Sequence, residues 1–232
     1  MVGKLAAMFR YPVKSMGAET VDTIEIGWNG LAGDRRWAFV RDGMTRSGFP
    51  WLTIRENPAM WGYRPRFVEP TLPEESQTVV LTPSGRELDV IDPALAEEVG
   101  RGSRVIKQSR GIFDTMPLSV ITTRTVAALS ALVGEGLGAA RFRPNLVIEP
   151  DGDEDFPEDE WVGKVLRVGG MTMRVDKRDK RCVMVNVNPQ TTEKNPDVLR
   201  AIARERAACL GVYGTTVAIG RVEVGDTVEI NA

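Results

Sequence analysis

The 232-residue chain has no histidine and only two cysteines, Cys182 and Cys209. Without imidazole, a Ser-His-Asp triad, a Cys-His pair, histidine general acid–base catalysis and zinc sites of the histidine type are all closed to it. A reactive centre must then be built from a thiolate, carboxylates, lysine, tyrosine or a bound cofactor. Two unevenly placed cysteines form no disulfide framework, which fits a reducing compartment. No apolar run approaches a membrane span, and the N-terminal run ends at Arg10, too short for a signal segment. The expectation is a cytoplasmic protein without a membrane partner. Aromatic residues make up 6% and supply no evident stacking platform for single-stranded nucleic acid. A formal charge of −2, from 30 basic and 32 acidic residues, also argues against nucleic acid as a partner. Any anion site has to be local.

What is present is ordinary for a globular protein, with 42% hydrophobic and 27% charged residues. The length suits one large domain or two small ones, with a core that needs neither disulfide nor metal. Cys182 is the residue that stands out. Lys177, Arg178, Lys180 and Arg181 surround it against Asp176 and Asp179, and a net positive field favours a thiolate over a thiol. Val183, Val185 and Val187 alternate with Met184, Asn186 and Asn188, the period of a half-buried strand that would place Cys182 opposite the valines, beside Asn186. Cys182 reads as a nucleophile or a soft metal ligand, the alternative being a small buried apolar side chain. Cys209, at the end of a predicted helix, reads as core packing.

Strands are expected over residues 21–26 and 36–40, and a hairpin over 77–90 around the turn Pro83-Ser84-Gly85. Asp92-Pro93 opens a short helix through Val99, stopped by Gly100. A longer helix is expected from Thr123 to Val133, with Val126, Leu129, Leu132 and Val133 on one face and Gly134 at its end. Another starts at Asn195-Pro196, with Val198, Leu199 and Ile202 inward. The segments 216–219 and 227–230 close the chain as strands. The acidic run 149–160 lacks calcium-loop spacing and reads as an exposed loop. Strands outnumber helices, so the fold class is mainly β with a few helices (α+β), a closed or nearly closed barrel rather than a doubly wound sheet.

Four more short runs set anion-binding residues beside turns: Tyr11-Pro12-Val13-Lys14-Ser15, Gly33-Asp34-Arg35-Arg36-Trp37, Thr53-Ile54-Arg55-Glu56-Asn57-Pro58 and Phe142-Arg143-Pro144-Asn145. With Asp114-Thr115-Met116-Pro117-Leu118, Arg181-Cys182 and the closing Val224-Gly225-Asp226-Thr227-Val228, their order resembles the MOSC domain family. Within it, the resemblance is to the branch with an N-terminal extension that includes the mitochondrial amidoxime-reducing component and its bacterial relatives. It covers nearly the whole chain. Met16 and Met116 depart from it, standing where a small residue or cysteine, and a small hydroxyl residue, are expected.

The resemblance implies a MOSC-type β-barrel over residues 113–232 with an N-terminal β-rich region, residues 1–112, packed on it. It implies molybdenum cofactor (molybdopterin), with Cys182 as the protein ligand to the metal. Lys14, Ser15, Arg35, Arg55, Thr115, Arg143, Asn145 and Arg181 would bind the cofactor, and Asp114 would join Cys182 as a catalytic residue. Pyridoxal phosphate binding is a further family-level association. The chemistry of the residues agrees, since a thiolate suits a soft metal and Arg forks with Lys suit a phosphate. Arg143 and Asn145, two apart, would share one side of an extended segment. The implied activity is reduction of a small N-oxygenated substrate such as an N-hydroxylated amine or amidine. No cysteine cluster exists for an iron–sulfur centre. Electrons are therefore expected from a separate flavoprotein reductase, ferredoxin or cytochrome b5-like protein. The rival reading is a carrier, with Cys182 holding sulfur as a persulfide or the barrel delivering the cofactor. A third is a structural barrel in which Cys182 only packs.

Overall fold

Gly3–Arg10 (β1) buries Leu5 and Met8 completely and forms the seam of a closed barrel in the computed structural model, which describes residues 1–44 and 46–231. The other barrel strands are β2 (Leu118–Thr122), β3 (Leu146–Pro150), β4 (Val165–Val168), β5 (Met171–Lys180), β6 (Cys209–Ala218) and β7 (Thr227–Asn231). Around the ring the order is β3, β2, β6, β5, β4, β7, β1 and back to β3. All pairings are antiparallel except β2 with β3. A parallel pair needs a crossover, and a helix over Thr123–Val133 within the connection supplies it. Leu118, Val120, Leu146, Ile148, Leu166, Val168, Met173, Val175, Val212 and Val228 fill the interior. The fold is a mainly β barrel, as the strand pattern predicts.

The remaining strands lie mostly in the N-terminal half. Trp37–Val40 pairs with Arg104–Lys107, and Arg64–Phe67, Thr78–Leu81 and Glu87–Asp89 form a meander. They enclose a second core of Phe39, Met60, Trp61, Val80 and Leu95, which Val187 of the C-terminal half also enters.

The helices follow their local signals. Helix α1 (Pro93–Val99) is capped by Asp92, which accepts from Ala94 N, and ends at Gly100. Helix α2 (Thr123–Val133) is capped by Thr122 and closed by Gly134 in the left-handed region. Helix α3 (Pro196–Arg206) is capped by Asn195 and buries Val198 and Ile202 against α2 and the barrel wall. Leu132, predicted inward, is instead 44% exposed, because α2 turns only Val126 and Leu129 fully onto the core.

Three other expectations fail. Val183–Asn186 is a 3-10 turn, not a strand: β5 has already ended at Lys180, and Val185 N and Val187 N donate back to Cys182 O and Met184 O. Val183 therefore points to solvent, while Asn186 accepts from Leu199 N of α3 and faces away from the cysteine. Cys209 is not core: α3 ends at Arg206, and Ala207 and Ala208, both at positive φ, swing the chain so that Cys209 is the half-buried first residue of β6. The acidic run is not wholly exposed either. Pro157–Trp161 forms a 3-10 turn that buries Glu158, whose carboxylate accepts from Thr122 Oγ1 (2.8 Å) and Thr125 Oγ1 (2.6 Å) under the start of α2.

Among the described residues no helix is long and apolar enough to cross a membrane.

Candidate functional site

At one end of the barrel, the turn after β1, the turn at Gly33–Arg35, the approach to β2, the approach to β3 and the turn after β5 surround a cavity of about 340 Å³. Every residue singled out from sequence lines it: Lys14, Ser15, Arg35, Arg55, Asp114, Thr115, Arg143, Asn145, Arg181 and Cys182. The local backbone is unusual there. Ser15 (φ 66°), Arg35 (φ 52°) and Arg143 (φ 54°) all adopt the left-handed region, which non-glycine residues occupy only when their surroundings impose it, typically at functional sites. Arg143 thus caps a 3-10 turn, Ala139–Phe142, rather than lying in the extended segment expected from its spacing with Asn145. Both still reach the cavity, by the sharp turn at Arg143 and not by strand parity.

A buried polar network fixes the floor. Asp34 is 1% exposed and accepts from Tyr11 N at 2.8 Å and from Asn145 Nδ2 at 3.1 Å, and it is ion-paired with Arg35. Asn145 Oδ1 accepts from Ser119 N, tying this network to β2. Arg35 Nη2 donates to Arg143 O at 3.1 Å. Arg143 stacks between Tyr11 and Trp61, with its guanidinium carbon 4.2 and 4.8 Å from the ring centres, and donates to Met16 O at 2.6 Å. Enclosure disfavours its charge and pushes its pKa down to about 10. Burial pushes the Tyr11 hydroxyl up to about 12, against the pull of Arg143 and Arg35.

The mouth carries the thiol. Cys182 is half-buried, and Arg55 Nη2 donates to its sulfur at 3.4 Å. The same Arg55 nitrogen lies 3.7 Å from Asp114 Oδ2, and Asp114 Oδ1 is ion-paired with Lys14, which also donates to Ile112 O at 3.0 Å. Burial alone would raise the Asp114 pKa, but the charge and hydrogen bond of Lys14, with Arg55 and Arg35, outweigh it and hold the carboxyl below its usual range. Desolvation lowers the Lys14 pKa, with Asp114 opposing. Lys14 and Arg55 both sit over the ring of Phe49, at 5.7 and 5.6 Å.

Sequence reasoning misses Arg141, Asp179, Ser119 and Tyr213, which also line the cavity. Arg141 stands one residue outside the Phe-Arg-Pro-Asn run, and that adjacency is its only sequence signal. Asp179 reads in the sequence merely as charge flanking the cysteine. The expected basic flank is only partly real: Arg178 turns away to Arg206 O and Asp159, and Lys177 does not line the cavity, whereas Lys180 and Arg181 do. Cations nevertheless prevail, with Lys14, Arg35, Arg55, Arg141, Arg143, Lys180 and Arg181 against Asp114 and Asp179. Arg143 Nη2 is buried without a hydrogen-bond partner, whereas Arg181 Nη2 stands 2.8 Å from Asp179 Oδ2 without being aligned to donate to it. A buried donor left unpaired, as Arg143 Nη2 is, is suited to an incoming anion. No cluster of three or more His, Cys, Asp or Glu occurs among the described residues, so a metal here would have to bring most of its own ligands.

The fold and site together are a closed β-barrel with a thiol at the mouth of a cationic, partly unsatisfied cavity. The chain belongs to the MOSC domain family: it matches the MOSC domain over residues 107–229 and the MOSC N-terminal beta barrel domain over residues 2–114. It is 25% identical to mitochondrial amidoxime-reducing component 1 of Xenopus laevis, over 98% of this chain and 82% of that protein. It is 26% identical to molybdenum cofactor sulfurase of Drosophila yakuba, over 92% of this chain but only 32% of that longer protein. The crystal structure of the YUAD protein from Bacillus subtilis shares the fold, with a TM-score of 0.55 at 12% identity over 99% of this chain and 96% of that one.

Proposed function

We propose that the protein is a molybdenum-cofactor-binding oxidoreductase that reduces N-hydroxylated or other N-oxygenated compounds with electrons from a separate donor protein. The observation that carries this reading is the placement of Cys182, its sulfur held by Arg55, at the mouth of a cavity whose floor is cationic and partly unsatisfied. These residues fit the cofactor chemically: a thiolate is a soft ligand, and arginine forks bind a phosphate in bidentate fashion. When bound, the cofactor would supply two-electron redox chemistry for removing the substrate's oxygen as water, with two electrons from the donor protein and two protons from solvent.

This chain's own residues would do the rest. Cys182 would be the one protein ligand to the metal. Lys14, Ser15, Arg35, Thr115, Arg143, Asn145 and Arg181 would hold the pterin and its phosphate, and the Asp34 network keeps Arg35 and Asn145 in place for it. Asp114, kept as a carboxylate by Lys14 and Arg55, would accept hydrogen bonds at the mouth, while Lys14, made more acidic by burial, is the member of that pair with a proton to give. Arg55 would also restrain the Cys182 sulfur.

The deciding experiment is expression in a host that makes molybdenum cofactor, followed by metal and pterin analysis of wild type and Cys182→Ser. Near-stoichiometric molybdenum that is lost in the variant is expected. Well-folded protein with neither molybdenum nor pterin would sink the reading. The resemblance to molybdenum cofactor sulfurases supports a second one, a carrier that holds sulfur as a Cys182 persulfide or delivers the cofactor. A sulfur carrier would be purified with cyanide-releasable sulfur on Cys182 and no molybdenum, whereas a cofactor carrier would hold molybdenum and reduce no N-hydroxylated substrate.

A further inference from the structure

Asp179, 2% exposed and one residue short of the end of β5, is the buried carboxylate of the cavity, whereas Asp114 stands at its mouth. Its Oδ2 lies 2.8 Å from Arg181 Nη2, yet the two groups meet out of hydrogen-bond alignment, so a buried acceptor and a buried donor sit side by side with no hydrogen-bond partner. Arg181 cannot turn to correct this, because its Nε donates to Leu210 O and its Nη1 to Phe142 O, each at 2.7 Å. The Ser119 hydroxyl, which also lines the cavity, is likewise without a partner in hydrogen-bond geometry. Buried polar atoms are nearly always satisfied, and leaving them otherwise is costly, which marks this trio as half of a binding interaction.

A donor and an acceptor held side by side match a ligand edge that offers an acceptor and a donor in the same arrangement. A cyclic amide has this form, with its N–H beside its C=O. We propose that Asp179 and Arg181 read the lactam edge of a heterocyclic ligand, the carboxylate accepting from the ring N–H while Arg181 Nη2 donates to the ring carbonyl. The cavity is then bipolar. Arg35 and Arg143 take the anionic end of the ligand, and the Asp179 end takes its heterocycle. Burial raises the Asp179 pKa to about 6, against the pull of Arg181, Tyr213, Arg35 and Ser119. The inference rests on the proposed cofactor reading, since a pterin carries such an edge.

The test uses cofactor-free full-length protein and two fluorescent probes, pterin-6-carboxylate and its N3-methyl derivative, in which the lactam N–H is blocked. Wild type is expected to bind the methylated probe about tenfold or more weakly, as sites built around a hydrogen bond reject analogues that lack it. Asp179→Leu should lose the same factor for the unmethylated probe and keep its affinity for inorganic phosphate; Asp179→Asn, whose amide oxygen still accepts, should recover part of the loss. Equal affinity of wild type for both probes would overturn the inference and leave the cofactor reading standing. So would a variant that loses phosphate and pterin binding alike, which would assign Asp179 a purely structural part. Failure of wild type to bind either probe would also overturn the inference, the cofactor reading being decided by the metal and pterin analysis.

Discussion

Arg141 and Arg181 each donate to the backbone of the segment that carries the other. Arg141 Nη1 lies 3.4 Å from Val185 O, in the turn that begins at Cys182, and Arg181 Nη1 lies 2.7 Å from Phe142 O, next to Arg141. The reciprocal clasp fixes the cysteine-bearing turn against the segment that leads into Arg143. It explains how a residue outside any regular element is held at a defined place on the cavity mouth.

Arg181→Lys should therefore be damaging although it conserves charge. Lysine cannot reach Leu210 O and Phe142 O together while staying beside Asp179. Losing these charge-assisted bonds should cost about 2–4 kcal/mol, read by urea denaturation, and Cys182 should alkylate faster than in wild type. Unchanged stability and thiol reactivity would show the clasp to be dispensable.

Inorganic phosphate should stabilise the wild-type protein, by about 2.7 kcal/mol at a hundredfold excess over its dissociation constant. Arg143→Met should keep a thermal midpoint near wild type in phosphate-free buffer, because the lost hydrogen bond is offset by removal of a guanidinium whose charge burial already disfavours. It should lose most of the phosphate response. Thermal melts of both proteins at several phosphate concentrations check this.

The two cavity carboxylates should leave opposite marks on stability against pH. Asp179 has a folded pKa of about 6, raised from the ordinary 3.8, so between these values the folded protein holds the extra proton and the stability due to this group falls as pH rises. Asp179→Asn should thus gain on wild type between pH 4 and pH 7, by up to about 3 kcal/mol. Asp114 is lowered, so its contribution is present above the unfolded value and is lost as pH falls through the folded one. Denaturant titrations of the Asn variants at pH 7, at pH 4 and down to about pH 2 separate the two signs.

Glu158→Ala should destabilise the protein by about 2–4 kcal/mol, since it removes the shared acceptor of the Thr122 and Thr125 hydroxyls beneath α2 and leaves them only each other. Phosphate affinity should not change, because Glu158 does not line the cavity. Calorimetry with phosphate titration tests both halves.

Local chemistry alone makes much of this protein legible in its sequence. Asp92-Pro93 with Gly100, Thr123 with Gly134, and Asn195-Pro196 set where three helices begin and where the first two end, because caps and turn glycines act within one helical turn. Val183–Val187 misleads, because a valine at every second position looks like a strand, and only the end of β5 at Lys180 shows that the chain has already left the sheet. Glu158 is hidden for a related reason: an acidic run looks solvated until the hydroxyls that draw one of its carboxylates into the interior are known.

By itself the sequence determined the family pattern, the dominance of strands, the absence of histidine chemistry and the identities of the cavity cations and thiol, all matters of residue type and short spacing. The tertiary structure alone decided that Arg55 meets Cys182 across 127 positions and Lys14 meets Asp114 across 100, and that Asp179 lies buried beside Arg181 rather than in solvent. The physical reason is barrel closure. Pairing β1 with β3 and β7 draws distant turns to one rim, and which side chains then lose their water depends on that closure and on no local signal.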